Sequence, residues 1–390
     1  MLSQGNFNGQ RLKEARLYRG LSLEELRKVV GVSKQMISKY EQGLNIPNPE
    51  ILFSLVQALK FPREFFYTSN KQNYSYGNSY FRSLLSTPKK DKLYQLSRVE
   101  NIVSFRNFLE QTIEFPKLSF PDLTCEADLE RKAMMLREAW NLGDSPIKNS
   151  VELLESKGFV LSDLSFSNDK IDAFSQRVTV ELAENRMNYY VIVLGSNKKS
   201  FYRRQFDAIH ELAHILLHES NIDNIEDETS DQYKKIEREA DNFAGYFLLP
   251  RSSFGAEVKK APLNLNYYRQ LKTKYHVSIA AMIVRTKQLE IIDQDEYTRL
   301  FKGLSRKDWR KQEPLDSITP VAEPEAFKEA MDLIFEEGIY NAGSFLSDFS
   351  NYTGKYLSYS EIEELLALEK GFFSQYMLSN SKLVSLKRNK

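Results

Sequence analysis

The nonamer HELAHILLH, residues 210–218, holds three of the four histidines in a chain of 390 residues: His210, His214 and His218, with His276 far downstream. His210 and His214 stand four apart, so on a helix both rings leave one face about one turn apart. Glu211 lies between them and can turn toward the same space. Two imidazoles at this spacing with an adjoining glutamate are the pattern that holds Zn2+ and uses the carboxylate to take a proton from water. Ile209, Leu212, Ala213, Leu216 and Leu217 add apolar surface, which predicts a largely buried helix. Buried neutral imidazoles without partners are costly, and a metal would satisfy them. The alternative is a core helix whose two histidines are hydrogen-bonded.

A third ligand decides between these readings, and IEREADNFAGYFLLP (236–250) offers one. Ala240, Phe243, Ala244, Phe247 and Leu248 mark the inward face of a second helix, ended by Pro250. At about 100° per residue, Glu237 and Asp241 fall on that face, while Glu239 is turned roughly 120° from its centre. A core-facing acid without a partner is unusual. Glu237 as third ligand, with Asp241 orienting a ligand histidine, accounts for both acids; two acids flanking a buried salt bridge is the alternative. His218 continues the spacing, but the face drifts about 40° per step of four. A His214/His218 pair would leave Glu211 without a role, so His218 is expected to be structural or to sit against the helix C-terminal dipole.

RRQFDAIHELAHILLH (203–218) followed by EREADNFAGYFLLP (237–250) resembles the ImmA/IrrE family of zinc metallopeptidases over about residues 125–255. The helix VELLESKGF and the strand-like runs RVTVEL (177–182) and YYVIVL (189–194), which pattern as a hairpin, fit that family's small α+β core. The resemblance implies His210, His214 and Glu237 as ligands and Glu211 as general base. It also implies cleavage of a protein, such as a helix-turn-helix repressor or an antitoxin. An oxyanion-stabilising residue is not singled out among Tyr202, Arg203, Arg204 and His276. The acidic run NIDNIEDETSD (221–231) reads as a solvated loop in preference to a lid.

Composition agrees with this chemistry. Hydrophobic residues make up 42% and charged residues 27%, as in a globular protein, and Lys+Arg 54 against Asp+Glu 53 names no partner. Cys125 is the only cysteine, so a metal must be held by His and carboxylate. The start MLSQGNFNGQ has no secretion signal, and no run of apolar residues reaches membrane-spanning length, so a cytoplasmic location without membrane association is expected.

Residues 1–67 differ in charge, with five Lys and five Arg against six Glu, a formal +4. Within them GLSLEELRKVVGVSKQMISKYEQG shows N-caps at Ser22 and Ser33, each opening a short helix, with a turn at Gly31. This resembles the XRE/Cro-type helix-turn-helix over about residues 9–67. The resemblance implies a second helix, Ser33 to Gln42, in the major groove of double-stranded DNA, with Ser33, Lys34, Gln35, Met36, Ser38 and Lys39 at bases or phosphates. Val29, Val32, Ile37 and Tyr40 read as packing positions. Leu23 and Arg27 depart from the family pattern, which commonly has Gln and a small residue there. A protein-recognition role for this head is the alternative.

The expected architecture is mainly α. A five-helix head (1–67) and a polar linker (68–80) lead to a helical connector (81–124). An α+β zincin-like core with a small sheet (125–260) and a helical C-terminal region (261–390) complete it. The expected function is a transcriptional regulator that carries a zinc endopeptidase, as a homodimer if the head reads a palindrome. The alternatives are a transcription factor whose zinc domain senses a ligand or partner without proteolysis, and an antitoxin-like inhibitor that only binds protein.

Overall fold

A computed structural model of the chain describes residues 6–69, 71–80, 89–166, 172–182, 185–197, 200–218 and 230–377. The head contains α1 (Gly9–Tyr18), α2 (Leu23–Val30), α3 (Lys34–Glu41) and α4 (Pro49–Leu59), followed by a 3-10 turn at Arg63–Tyr67. Its breaks are those the sequence predicts. Ser22 and Glu25 form a reciprocal capping box, Gly31 closes α2 in the left-handed region at φ 78°, and Ser33 accepts from the Met36 amide. The chain continues through β1 (Asn73–Tyr80), α5 (Lys89–Leu109), α6 (Leu129–Ala139), α7 (Ser150–Ser156), β2 (Val160–Leu164), β3 (Ala173–Leu182) and β4 (Asn185–Gly195). It then enters α8 (Phe201–His218), α9 (Ser230–Leu248), α10 (Ser253–Val258), α11 (Leu265–Tyr275), α12 (Ile279–Gln288) and α13 (Gln294–Arg306). The last α-helices are α14 (Ala326–Glu336), α15 (Ala342–Thr353) and α16 (Tyr359–Leu365).

These elements form two compact units. One comprises residues 1–73, 93–113 and 326–390, the other residues 74–92 and 114–325. The expected boundaries therefore need three corrections. Residues 73–80, read as part of a linker, are a strand that pairs with β3, and from residue 74 it belongs to the second unit. Gly77 shows why a glycine stands there: a Cβ would lie 2.7 Å from Arg177 Nε, and the Gly77 carbonyl accepts from Gln176 Nε2 at 2.9 Å. The connector helix α5 is no spacer either. From Leu93 onward it belongs to the first unit, where Phe105 stacks on Phe349 with centroids 4.0 Å apart and Phe108 packs edge-on to Phe345.

The C-terminal region, read as one piece, is divided. Residues 261–325 stay with the second unit because α11 and α12 bury Tyr268, Leu271, Met282 and Ile283 in the same core as Leu212, Phe243 and Phe247. Residues 326–377 join the first unit, and there Lys355 is buried between the carboxylates of Glu14 and Glu100.

The four strands order β1-β3-β4-β2. β3 and β4 form the expected hairpin, antiparallel from Ala173↔Leu194 to Leu182↔Asn185, and β2 runs parallel to β4. Helix α8 packs beneath them. Buried Arg204 fixes its N-terminal end, donating to Asp163 Oδ2 on β2 at 2.6 Å and to the Gly195 carbonyl at the end of β4 at 3.0 Å.

Among the described residues no helix is long and apolar enough to cross a membrane.

Candidate metal centre and the exposed face of the third helix

α8 and α9 lie side by side, and each turns one stripe of polar side chains into an otherwise apolar interface. The apolar faces are Ile209, Leu212 and Ala213 on α8 and Ala240, Phe243, Ala244 and Phe247 on α9, all buried. Between them stand His210, His214 and Glu237, whose ligand atoms lie within 4.8 Å of one another. His210 Nε2 and His214 Nε2 are 3.0 Å apart, and each is 3.6 Å from a Glu237 carboxylate oxygen. A tetrahedral ion with ligands at about 2.0–2.1 Å places its donors about 3.3–3.4 Å apart. The donors, 3.0–3.6 Å apart, bracket that spacing, with the two histidines facing different Glu237 oxygens, and their chemistry, two imidazoles and one carboxylate, is the set a divalent zinc-type ion prefers.

The atoms behind the donors are paired. His210 Nδ1 meets Asp241 Oδ1 at 2.9 Å. Tyr233, one turn before Glu237, donates its hydroxyl to Glu237 Oε1 at 2.7 Å. His214 Nδ1 lies 3.2 Å from His218 Nδ1, and His218 Nε2 lies 3.2 Å from Glu239 Oε2. His218 is buried, and its pKa is lowered by that burial against the pull of Glu239. Its ring contacts to His214 and Glu239 fit the structural reading of His218. Glu239, which helical-wheel geometry turns aside, reaches the centre through this ring.

Glu211 is 5% exposed, and its Oε2 accepts a hydrogen bond from Ser175 on β3 at 2.8 Å. Burial pushes its pKa up to about 8, against the pull of His210 and the Ser175 bond. His210 moves the same way. Burial opposes its charge, but hydrogen bonds to Asp241 and Glu237 with the nearby Glu211 charge outweigh it and raise the pKa to about 10. Ser175, Tyr233 and Glu239 carry no motif signal. Ser175 meets α8 only through the sheet, while Tyr233 stands four before Glu237 and is the one that helical spacing alone could have found.

The four side chains considered for oxyanion stabilisation have other contacts. Tyr202 hydroxyl bonds Thr319 Oγ1 at 3.1 Å, Arg203 donates to the carbonyls of Arg310 and Lys311, Arg204 pairs with Asp163, and His276 rests edge-on against Phe201. The acidic run 221–231 lies outside the described residues except for residues 230 and 231.

In the head, Ser33, Lys34, Gln35 and Lys39 are exposed on α3, and Met36 and Ser38 are half-exposed. The opposite face carries buried Ile37 and Tyr40. Glu41, at the helix end, takes a two-pronged hydrogen bond from Arg16 of α1 at 2.6 and 2.9 Å, which locks the presenting helix. Val29 is corrected: it is 64% exposed, and Val30 takes the core position. Arg27 turns outward onto Glu24, so it does not crowd the helix crossing.

Residues 12–66 match the family model for the helix-turn-helix, and residues 154–287 match that of peptidase family M78, described as the IrrE N-terminal-like domain. No curated protein matches the chain. The chain is thus a fusion of an XRE-type helix-turn-helix domain with an IrrE/ImmA-like peptidase domain, the make-up of a DNA-binding regulator.

Proposed function

We propose that the peptidase-family domain is a zinc-dependent endopeptidase that cleaves a protein of repressor or antitoxin type, and that DNA binding brings it near that target. The observation that carries this reading is the meeting of His210, His214 and Glu237 with ligand atoms within 4.8 Å of one another, with Glu211 on the same helix as the two histidines. His210, His214 and Glu237 would hold the ion. Bound there, Zn2+ supplies Lewis acidity, polarising the scissile carbonyl and making water a better nucleophile at neutral pH.

The chain's own residues do the rest. Asp241 accepts the Nδ1 proton of His210, which leaves Nε2 free to ligate. His214, ligating through Nε2, carries its proton on Nδ1 and donates to His218 Nδ1. His218 then keeps its proton on Nε2 and donates to Glu239. Ser175 holds Glu211 in place as the base that takes a proton from water and returns it to the leaving amine. On α3, the exposed Lys34, Gln35 and Lys39 would meet the major groove, with Ser33, Met36 and Ser38 beside them. Two copies on a palindromic operator belong to the same reading.

Glu211→Gln tests it. The variant is expected to keep its zinc by metal analysis while peptide-bond cleavage falls by about 100-fold or more. The cleavage is read as one cellular protein that shortens in the presence of the parent and not of the variant. If Glu211→Gln regulates as well as the parent, the zinc domain senses or binds and does not cut.

A further inference from the structure

A groove of about 390 Å3 runs between α8, α9, α12 and α13, and Asp241 forms part of its wall. It continues the stripe that builds the metal centre. On α8, Asp207 stands three residues before His210 on the same face; on α9, Gly245 stands four residues beyond Asp241. The paired contacts step along both helices in opposite directions, His214 with Glu237 and then His210 with Asp241. The next step reaches Asp207 and Gly245, both in the groove lining.

Gly245 is the informative residue. It lies inside a helix, where glycine is destabilising relative to alanine. A Cβ there would meet only Gln288 Oε1, at 3.8 Å. Packing of the chain against itself therefore does not require the glycine, and its effect is to leave the groove open. Phe206, Val284 and Phe301 give the groove apolar walls. A cavity of about 150 Å3 suffices for a benzene-sized group, so this one holds a large side chain with some of its flanking main chain. Charge weighs against an acidic occupant: three carboxylates, Asp172, Asp207 and Asp241, line the groove against two guanidiniums, of which Arg203 is engaged by the carbonyls of Arg310 and Lys311, and Arg285 by Glu130 and the Leu249 carbonyl.

We propose that this groove receives an apolar side chain of the polypeptide substrate, next to the bond to be cut. The proposal rests on the zinc-peptidase reading above and adds the substrate preference to it.

The test uses the full chain loaded with zinc and three hydroxamates as probes: those of N-acetylglycine, N-acetylleucine and N-acetylglutamate. Binding is read by calorimetry, which needs no turnover. The leucine probe is expected to bind about ten- to a hundredfold more tightly than the glycine probe, and the glutamate probe no more tightly than glycine. Gly245→Leu fills the groove and should abolish the leucine advantage, leaving the two probes within about twofold. Val284→Glu, on the partly exposed rim, should reduce the same advantage without touching α9. Equal affinity of the leucine and glycine probes in the parent overturns the proposal, as does a leucine preference that survives Gly245→Leu. If none of the three probes binds the zinc-loaded chain, the metal-site reading falls and takes the groove assignment with it.

Discussion

Glu239 illustrates what helical periodicity can and cannot show. The wheel turns its Cβ well away from the inward face of α9, and a short side chain there would point to solvent. A glutamate is long enough to reach back, and His218, one turn beyond His214 on α8, is where it arrives, at 3.2 Å. The candidate ligands themselves were legible because spacing of four on a helix dictates a shared face. The support behind them was not, because Ser175 comes from a strand and His218 becomes informative only once a neighbouring acid is found. His218→Ala is expected to weaken zinc binding by about 10–100-fold, measured by competition with a chelator. Glu211 gives a pH prediction for the metal-free protein. Its pKa is raised in the folded state, so the native form holds a proton that the unfolded chain releases. The stabilisation is complete below the ordinary value of 4.5 and is lost as pH rises toward about 8. Melting temperature should therefore fall over that range, and Glu211→Gln should flatten the decline.

Among the elements, α3 and β1 stand at opposite ends of legibility. For α3 the N-cap Ser33, the left-handed Gly31 and the inward Ile37 and Tyr40 all agree, and the helix forms where they place it. Its anchor was hidden, since the Arg16–Glu41 pair joins residues 25 apart. Val29 and Val30 show a second limit. Two adjacent valines fit a core equally well by type, and only the rotation of α2 decides which is buried. For β1, the segment NYSYGNSY is rich in turn-forming residues, and they conceal the alternating tyrosines Tyr74 and Tyr76 of a strand. If α3 enters the major groove, Lys34→Ala and Lys39→Ala should each reduce the salt dependence of DNA binding by about one ion in the log–log slope, measured by fluorescence anisotropy. An unchanged slope in both variants would contradict that placement.

At the scale of the whole molecule, the first compact unit is assembled from segments far apart in the chain, and the second is interrupted by residues 93–113. Composition cannot reveal this. An aromatic such as Phe105 is apolar whether it meets a neighbour in sequence or Phe349, 244 positions on. The boundary at about residue 260 failed for the same reason, because α11 and α12 have the amphipathic pattern of any surface helix and only packing shows that they close over α9. The family matches fall on the two local motifs at 12–66 and 154–287, and the second runs past residue 260 into α12. The central claim, that one ion is held by two helices of a single chain, is tested most directly by metal content. After zinc loading and removal of excess, inductively coupled plasma mass spectrometry should find about one zinc per parent chain and a large loss in both His214→Ala and Glu237→Ala. A parent chain that stays metal-free, or variants that retain as much zinc as the parent, would contradict the account.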